Sequence, residues 1–304
     1  MDTTQALSAK AAAFGGAVAG FIARMTAAPF DVVKIRLQLN QRAASPTLLN
    51  AMSSIYKEEG LKTFFRGNVP AIMLWVGYGS FQFAAVNYLK QALGSASRGT
   101  WLSETNFLNT QDVVSFGAGG MAAFTATILT HPFDVLRTRF AGQGIPKVYN
   151  SIWAMAYGSG VKGLYSGLVP SLVNVAPAMG ISFSAYNFIS RNVSTTSPGV
   201  NESIRSAIAG GGAGLMTKLV LYPLDISKKR LQMQGIVRDT SRYGTSMHYE
   251  GMIDCLRKIV KHEGFTTGLY KGFLPTTYKA VVSTSCTFVA YEYFSKFWAD
   301  EMER

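Results

Sequence analysis

HPFDVLRTR, residues 131–139, closes a run at residues 113–133 that holds no Asp, Glu, Lys or Arg. A proline, an acid and two bases in quick succession can simply end a buried helix. Asp134 and Arg137 would then form a surface pair worth about 0.2–0.5 kcal/mol. The pattern, however, occurs three times. Residues 29–38 read PFDVVKIRLQ, and residues 223–232 read PLDISKKRLQ. Each copy sets an Asp two places after its proline, a base at five (Lys34, Arg137, Lys228) and another at seven (Arg36, Arg139, Arg230). A glycine motif keeps the same rhythm: EGLKTFFRG at 59–67, SGVKGLYSG at 159–167 and EGFTTGLYKG at 263–272. Repetition at a steady period outranks length as a guide to architecture. Length alone suggests two soluble domains; the repeats predict three units, residues 1–100, 101–200 and 201–304.

Composition points to a membrane. The chain is 48% hydrophobic and holds 30 glycines, yet carries a net charge of +12. Residues 67–89 and 168–190 have no charged side chain. At 1.5 Å per residue, about 20 residues cross the ~30 Å of a bilayer's hydrocarbon. Segments 11–30, 206–224 and 273–298 are of similar length but are interrupted by Arg24, by Lys218, and by Lys279, Glu292 and Lys296. The expected fold is an all-α membrane protein of six transmembrane helices in three pseudo-symmetric repeats. The first helix of each pair runs through and beyond its proline. Short amphipathic helices are expected at 48–57, 148–157 and 249–261, and loops at 91–102, 192–199 and 235–245. Gly16 with Gly20 and Gly210 with Gly214 have the small-residue spacing that lets membrane helices approach. A large soluble helical protein is the alternative, but such a core rarely needs so many long uncharged runs.

Three-fold repetition gives the charges a geometry. About a pseudo-threefold axis along the membrane normal, Asp31, Asp134 and Asp225 fall at one level, with Lys34, Arg137 and Lys228 a turn away. Buried ionised groups need partners. Pairs between repeats, Asp31 with Arg137, Asp134 with Lys228 and Asp225 with Lys34, would close one mouth of a central cavity. Gln38 and Gln232 stand where an amide can brace a pair; the second repeat has Ala141 there. Solvated charges at helix ends are the bland alternative.

A second register starts from Gly67, Gly167 and Gly272. Seven residues on lie Leu74, Asn174 and Lys279, and five before each proline lie Arg24, Thr127 and Lys218. Arg24, Lys218 and Lys279 have no acid close by on their own helices. Intramembrane bases without one are costly unless they face water or an anion, although snorkelling to the interface also relieves them. With Trp75, Tyr78 and Ser283 these residues make the candidate binding set. Nothing resembles a nucleophile, base and orienting acid. Three scattered histidines and two cysteines suggest neither a metal cluster nor a disulfide framework. The dispersed basic residues lack a nucleic-acid motif, and residues 1–11 lack the order of a secretory signal. An anionic solute and anionic lipid headgroups suit the charge.

The repeated Pro-x-acid-x-x-base-x-base pattern resembles the signature of the mitochondrial carrier family, and the likeness runs over nearly the whole chain. The family's acid-Gly…aromatic-base-Gly motif matches at Glu59, Gly60, Phe65, Arg66 and Gly67. It matches again at Glu263, Gly264, Tyr270, Lys271 and Gly272 with one extra residue, while Ser159 and Ser166 replace the acid and base in the middle copy. The resemblance implies a monomeric inner-membrane transporter rather than an enzyme. It would have no cofactor, cardiolipin at its matrix side and termini toward the intermembrane space. It also implies that the Asp ring is the matrix gate, with a cytosolic gate on the even helices. The matching positions there are Val86, Asn87 and Lys90; Tyr186, Asn187 and Ser190; and Tyr291, Glu292 and Ser295. Only fragments of the family's charge pattern survive, so Tyr186 and Tyr291 would carry more of that closure.

Residues 77–83, 131–151, 221–232 and 269–285 are similar to members that bring thiamine pyrophosphate into the matrix, with nucleotides or related phosphates as counter-substrates. On that reading Lys218, Lys279 and Arg24 hold the diphosphate while Trp75 or Tyr78 meets the aromatic head. A carrier of adenine nucleotide or coenzyme A, or a membrane scaffold without counterflow, fits the same motifs.

Overall fold

Six helices, each longer than a bilayer's hydrocarbon requires, follow from the long apolar runs. The computed structural model describes residues 3–41, 46–97, 110–144, 147–196, 202–236 and 247–302. The long helices are α1 (Thr3–Leu39), α3 (Asn68–Ser97), α4 (Thr110–Gly142), α6 (Leu168–Thr196), α7 (Glu202–Gln232) and α10 (Phe273–Met302). Between them lie α2 (Leu48–Glu59), a 3₁₀ turn (Leu61–Phe65), α5 (Ile152–Leu164), α8 (Met252–Glu263) and α9 (Phe265–Leu269). Among the described residues, three segments are long and apolar enough to cross a membrane: Leu61–Ala92, Leu168–Val193 and Arg205–Gln232. As expected, α1, α4 and α7 continue past Pro29, Pro132 and Pro223. That extension carries the aspartates and bases on ordered helix rather than loop.

The short helices fall close to their expected places: α2 starts at Leu48 as expected, whereas α5 and α8 start after the first apolar residue of their segments. Ser151 Oγ accepts from Ala154 N at 3.1 Å, so α5 begins at Ile152 and residues 148–151 are not helical. Thr47 caps α2 in the same way. An Ncap side chain satisfies one of the orphaned N–H groups of the first turn. Two expected loops are largely helix: α3 runs on to Ser97 and α6 to Thr196. The α3 extension is rich in helix formers (Gln91-Ala92-Leu93), and polarity alone does not end a helix; the α6 extension, Asn192-Val193-Ser194-Thr195-Thr196, continues despite low propensity. Residues 237–246, most of the third expected loop, lie outside the described residues.

The glycine motif acquires a backbone reason. Gly60 and Gly67 have φ of 78° and 79°, Gly160 and Gly167 of 61° and 74°, and Gly264 and Gly272 of 89° and 77°. A side chain at positive φ meets its own backbone, so glycine suits these turns. The first and third copies leave their short helices at Gly60 and Gly264, the middle copy kinks α5 at Gly160, and all three enter the next long helix at the second glycine.

The chain forms two compact units. One comprises Met1–Leu37, Ser45–Arg66 and Gly272–Arg304. Its core is Val33, Leu37, Ala51, Ile55 and Phe64, with Leu48 and Met52 packed against them. The other comprises Gln38–Ala44 and Gly67–Lys271. There α3 packs along α4, α6 along α7, and α8 and α9 against α7. Ala118, Ala122 and Ala126 on α4 and Ala209 and Ala213 on α7 are buried. Small residues let helices approach closely, but Gly210 and Gly214 are not the ones used. Both are exposed with open space around them, and the buried stripe lies one residue earlier.

Candidate functional site

Each aspartate of the repeated motif is held by cations, though by different ones. In the first unit, Asp31 on α1 takes Arg24 Nη1 at 2.6 Å on one oxygen and Lys279 Nζ from α10 at 2.7 Å on the other. In the second, Asp225 on α7 takes Lys218 Nζ at 3.0 Å and the Asn174 amide of α6 at 2.8 Å. These partners stand at equivalent repeat positions: Arg24 with Lys218, and Lys279 with Asn174. The expectation that no acid on their own helices serves these bases is therefore corrected for Arg24 and Lys218, while for Lys279 it stands. Arg24 and Lys218 each reach an aspartate two turns further along the same helix, and Lys279 reaches one on a neighbouring helix.

The second repeat cannot copy this arrangement. Its equivalents are Thr127, which is too short, and Leu74, which has nothing to donate. Thr127 Oγ1 instead donates to Ala123 O at 2.7 Å. Asp134 is served from α7: Lys228 Nζ at 2.9 Å, Lys229 Nζ at 3.0 Å and Gln232 Nε2 at 2.8 Å. Lys229 also donates to Thr138 Oγ1 and Gln232 Oε1. Of the three pairs expected between repeats, Asp134 with Lys228 lies inside one unit and is formed. Sequence reasoning missed Lys229, because the motif places bases at five and seven after the proline and this lysine stands at six.

Gln38 and Gln232 are both fully buried. Gln232 touches the Asp134–lysine cluster, whereas Gln38 Nε2 donates to Tyr222 OH at 3.1 Å. Trp75 is 65% exposed; Leu74, Tyr78 and Ser283 are half-buried. Among the expected cytosolic-gate residues, Asn87, Lys90 and Tyr186 are exposed and Asn187 is half-buried. The side chains of Tyr291 and Glu292 lie outside the described residues.

Below the aspartates a second set of charges joins the two motifs. Arg36, seven after its proline, grips Glu59 through Nη1 at 2.5 Å and Nη2 at 2.9 Å, and Arg66 reaches the same carboxylate at 2.6 Å. In the third repeat Arg230 and Lys271 hold Glu263 in the same way; Arg230 Nη2 lies 2.8 Å away. Burial pulls the Lys271 ammonium below its usual range, and Glu263 opposes that pull. In the second repeat Arg139 finds Ser159 Oγ at 2.5 Å, Gly163 O at 3.1 Å and Gln232 O at 2.9 Å, all neutral acceptors. One sequence signal announced this: acid and base are present together in two copies and absent together in the middle one.

The chemistry available is the gripping of anions rather than bond-making. The Cys255 thiol is buried and pushed up to about 12 by desolvation, so it is no nucleophile. No group of His, Cys, Asp and Glu suited to a metal occurs among the described residues. The mitochondrial carrier protein model matches residues 5–97, 110–197 and 200–302, and the chain belongs to that family. Its members are transporters, and the chain is a multi-span protein of the mitochondrial inner membrane.

Particular relatives narrow the class. A Homo sapiens mitochondrial thiamine pyrophosphate carrier is 37% identical over 297 residues, covering 93% of this chain and 90% of its own length. An Arabidopsis thaliana mitochondrial thiamine diphosphate carrier 1 is 36% identical over 313 residues, covering 92% and 91%. A Sclerotinia sclerotiorum mitochondrial thiamine pyrophosphate carrier 1 is 34% identical over 295 residues, covering 91% and 88%.

Proposed function

We propose that the protein carries thiamine pyrophosphate across the inner membrane into the matrix, by alternating-access exchange with nucleotides or related phosphates. The observation that carries this reading is the shared specificity in the names of animal, plant and fungal relatives aligned over nearly their whole length. The site chemistry agrees. Arg24 and Lys279 in one unit, and Lys218 in the other, are cations of the kind a diphosphate requires, and Tyr78 with Thr127 offers an aromatic face with a polar edge.

The working unit is a monomer of six spans in three repeats, with cardiolipin at its matrix side. Asp31, Asp134 and Asp225 with Lys34, Arg137 and Lys228 form the matrix gate. Tyr186 and Tyr291, with Asn87, Lys90, Asn187 and Glu292, close the cytosolic end. Both termini face the intermembrane space, which labelling of cysteines introduced at each end checks directly.

Counterflow of labelled thiamine pyrophosphate in liposomes containing the purified protein tests the function. Exchange of adenine nucleotide or coenzyme A, with none of thiamine pyrophosphate, would replace the proposed cargo. In the same assay Lys279→Gln keeps length and polarity but removes the charge. A charge-assisted bond is worth about 1.5–3 kcal/mol, so apparent affinity for the diphosphate is expected to weaken roughly ten-fold or more. A monophosphate analogue should lose less. Unchanged affinity in a well-folded variant removes Lys279 from the site.

The gate has its own test. Asp134→Lys is expected to stop counterflow, and adding Lys228→Asp to restore part of it, because the pair is direct at 2.9 Å. Coupling between the two changes, rather than loss of activity, is the measure. A double variant no better than Asp134→Lys alone would argue against the pairing.

A further inference from the structure

Asp31 does something the gate does not require of it. Its side chain is 7% exposed, and each carboxylate oxygen is taken by a different cation, Arg24 and Lys279. Both cations are more open than the acid they hold, at 16% and 28% side-chain exposure. Two cationic groups converging on the oxygens of one anion, with the anion on the buried side, make a mould of a phosphate site already filled by a carboxylate. A diphosphate offers more charge and more acceptor oxygens than a carboxylate, and charge-assisted bonds strengthen with both. A weaker form stands in the third repeat, where one cation, Lys218, and the neutral Asn174 amide hold Asp225. It is missing from the second, where Thr127 and Leu74 occupy the equivalent positions.

We propose that Asp31 is a built-in competitor for the cargo's phosphate, holding Arg24 and Lys279 until the diphosphate takes them over. This rests on the reading of the protein as a carrier of a diphosphate cargo. The consequence is coupling. A carboxylate displaced from Arg24 and Lys279 must find other cations, and the gate bases are the ones the motif sets a turn away. Cargo binding and gate closure thus share one set of charges, and affinity is lower than the cations alone would give. Asp31 is a positioning residue in this scheme, not a cargo contact.

Inorganic pyrophosphate is the probe, because it carries the anion without the aromatic head. Calorimetric binding to the purified protein in detergent is compared for wild type, Asp31→Asn, Lys279→Gln and the double variant. Asp31→Asn is expected to bind pyrophosphate at least about five-fold tighter, the lower end of ordinary coupling between sites, while thiamine pyrophosphate counterflow falls. A residue that only supports the fold would lose both. The gain should shrink in the Lys279→Gln background, where one of the two freed cations is gone.

If Asp31→Asn alone does not fold, the comparison moves to that background. There, loss of Asp31 still frees Arg24 and should tighten binding by a smaller factor. Equal or weaker pyrophosphate binding after removal of Asp31 overturns the proposal, as does a wild type that does not bind pyrophosphate at all. Tightening of pyrophosphate without any transport of thiamine pyrophosphate would uphold the competition and overturn only the cargo.

Discussion

Glu263→Ser is expected to lower the melting temperature of the purified protein by on the order of 10 °C, and Glu263→Ser combined with Lys271→Ser by distinctly less. Glu263 is 5% exposed and is the carboxylate that Arg230 and Lys271 share. Arg230 is fully buried, and Lys271 is 4% exposed. Removing one partner of a buried pair costs roughly 3–5 kcal/mol, because the other charge stays behind, and each kcal/mol moves the midpoint of a chain this size by about 2–4 °C.

The double variant copies the second repeat, where Ser159 and Ser166 stand at the acid and base positions and Arg139 is satisfied by hydroxyls and carbonyls. One buried guanidinium among neutral acceptors is tolerable, as Arg139 shows. Two cations facing each other without the acid are not. Arg230 would still have Gln38 O at 3.2 Å, Asn40 O at 3.3 Å and Tyr249 OH at 3.3 Å. Equal melting points for the single and double variants would show that the shared acid, and not its balance with Lys271, sets the cost.

The architecture was legible because repetition amplifies weak signals. One Pro-x-Asp is uninformative; three at a steady spacing mark three long helices, each running through its proline and carrying its acid on the helix. The short helices were legible from mixed polarity, and so was the first residue of α2, but not those of α5 and α8. Ser151 fixes the start of α5 through a side-chain bond to the first turn, while the apolar pattern begins earlier, at Val148. The Asp134–Lys228 pair was legible from repeat geometry. The hold of Arg24 on Asp31 was not, because a spacing of seven is two helical turns, beyond the one-turn pairs that sequence rules consider. Lys229 was hidden by the motif itself, since its equivalents Ile35 and Thr138 carry no charge. The link from Arg36 to Glu59 joins two motifs that sequence reading treats as separate signals. Only the structure shows that the second motif's acid neutralises the first motif's last base.

Gly167→Ala is expected to abolish counterflow and to destabilise the protein more than Gly60→Ala, although both glycines have nearly the same backbone, φ 74° and 78°. Alanine at such a φ costs roughly 1–2 kcal/mol in either place. At Gly60 that is the whole effect, since a Cβ there meets nothing within 4 Å. At Gly167 the Cβ would lie 2.9 Å from the carbonyl oxygen of Lys228 and 3.1 Å from Gln232 Cγ. A backbone atom cannot swing aside, so α7 itself must move, and overpacking of that kind adds about 1–3 kcal/mol.

The position of the clash matters more than its size. Lys228 and Gln232 are two of the groups that hold Asp134, so displacing their backbone pulls that cluster apart. Gly67 stands in the same relation to α4, its added Cβ 2.8 Å from the carbonyl oxygen of Arg137. Each of these glycines therefore seats the start of α3 or α6 against the backbone at the base five residues after the following proline. Melting curves and counterflow of Gly60→Ala, Gly67→Ala and Gly167→Ala decide the matter. If all three lose the same stability and keep transport, the close approach has no part in the gate and the glycines serve their turns alone.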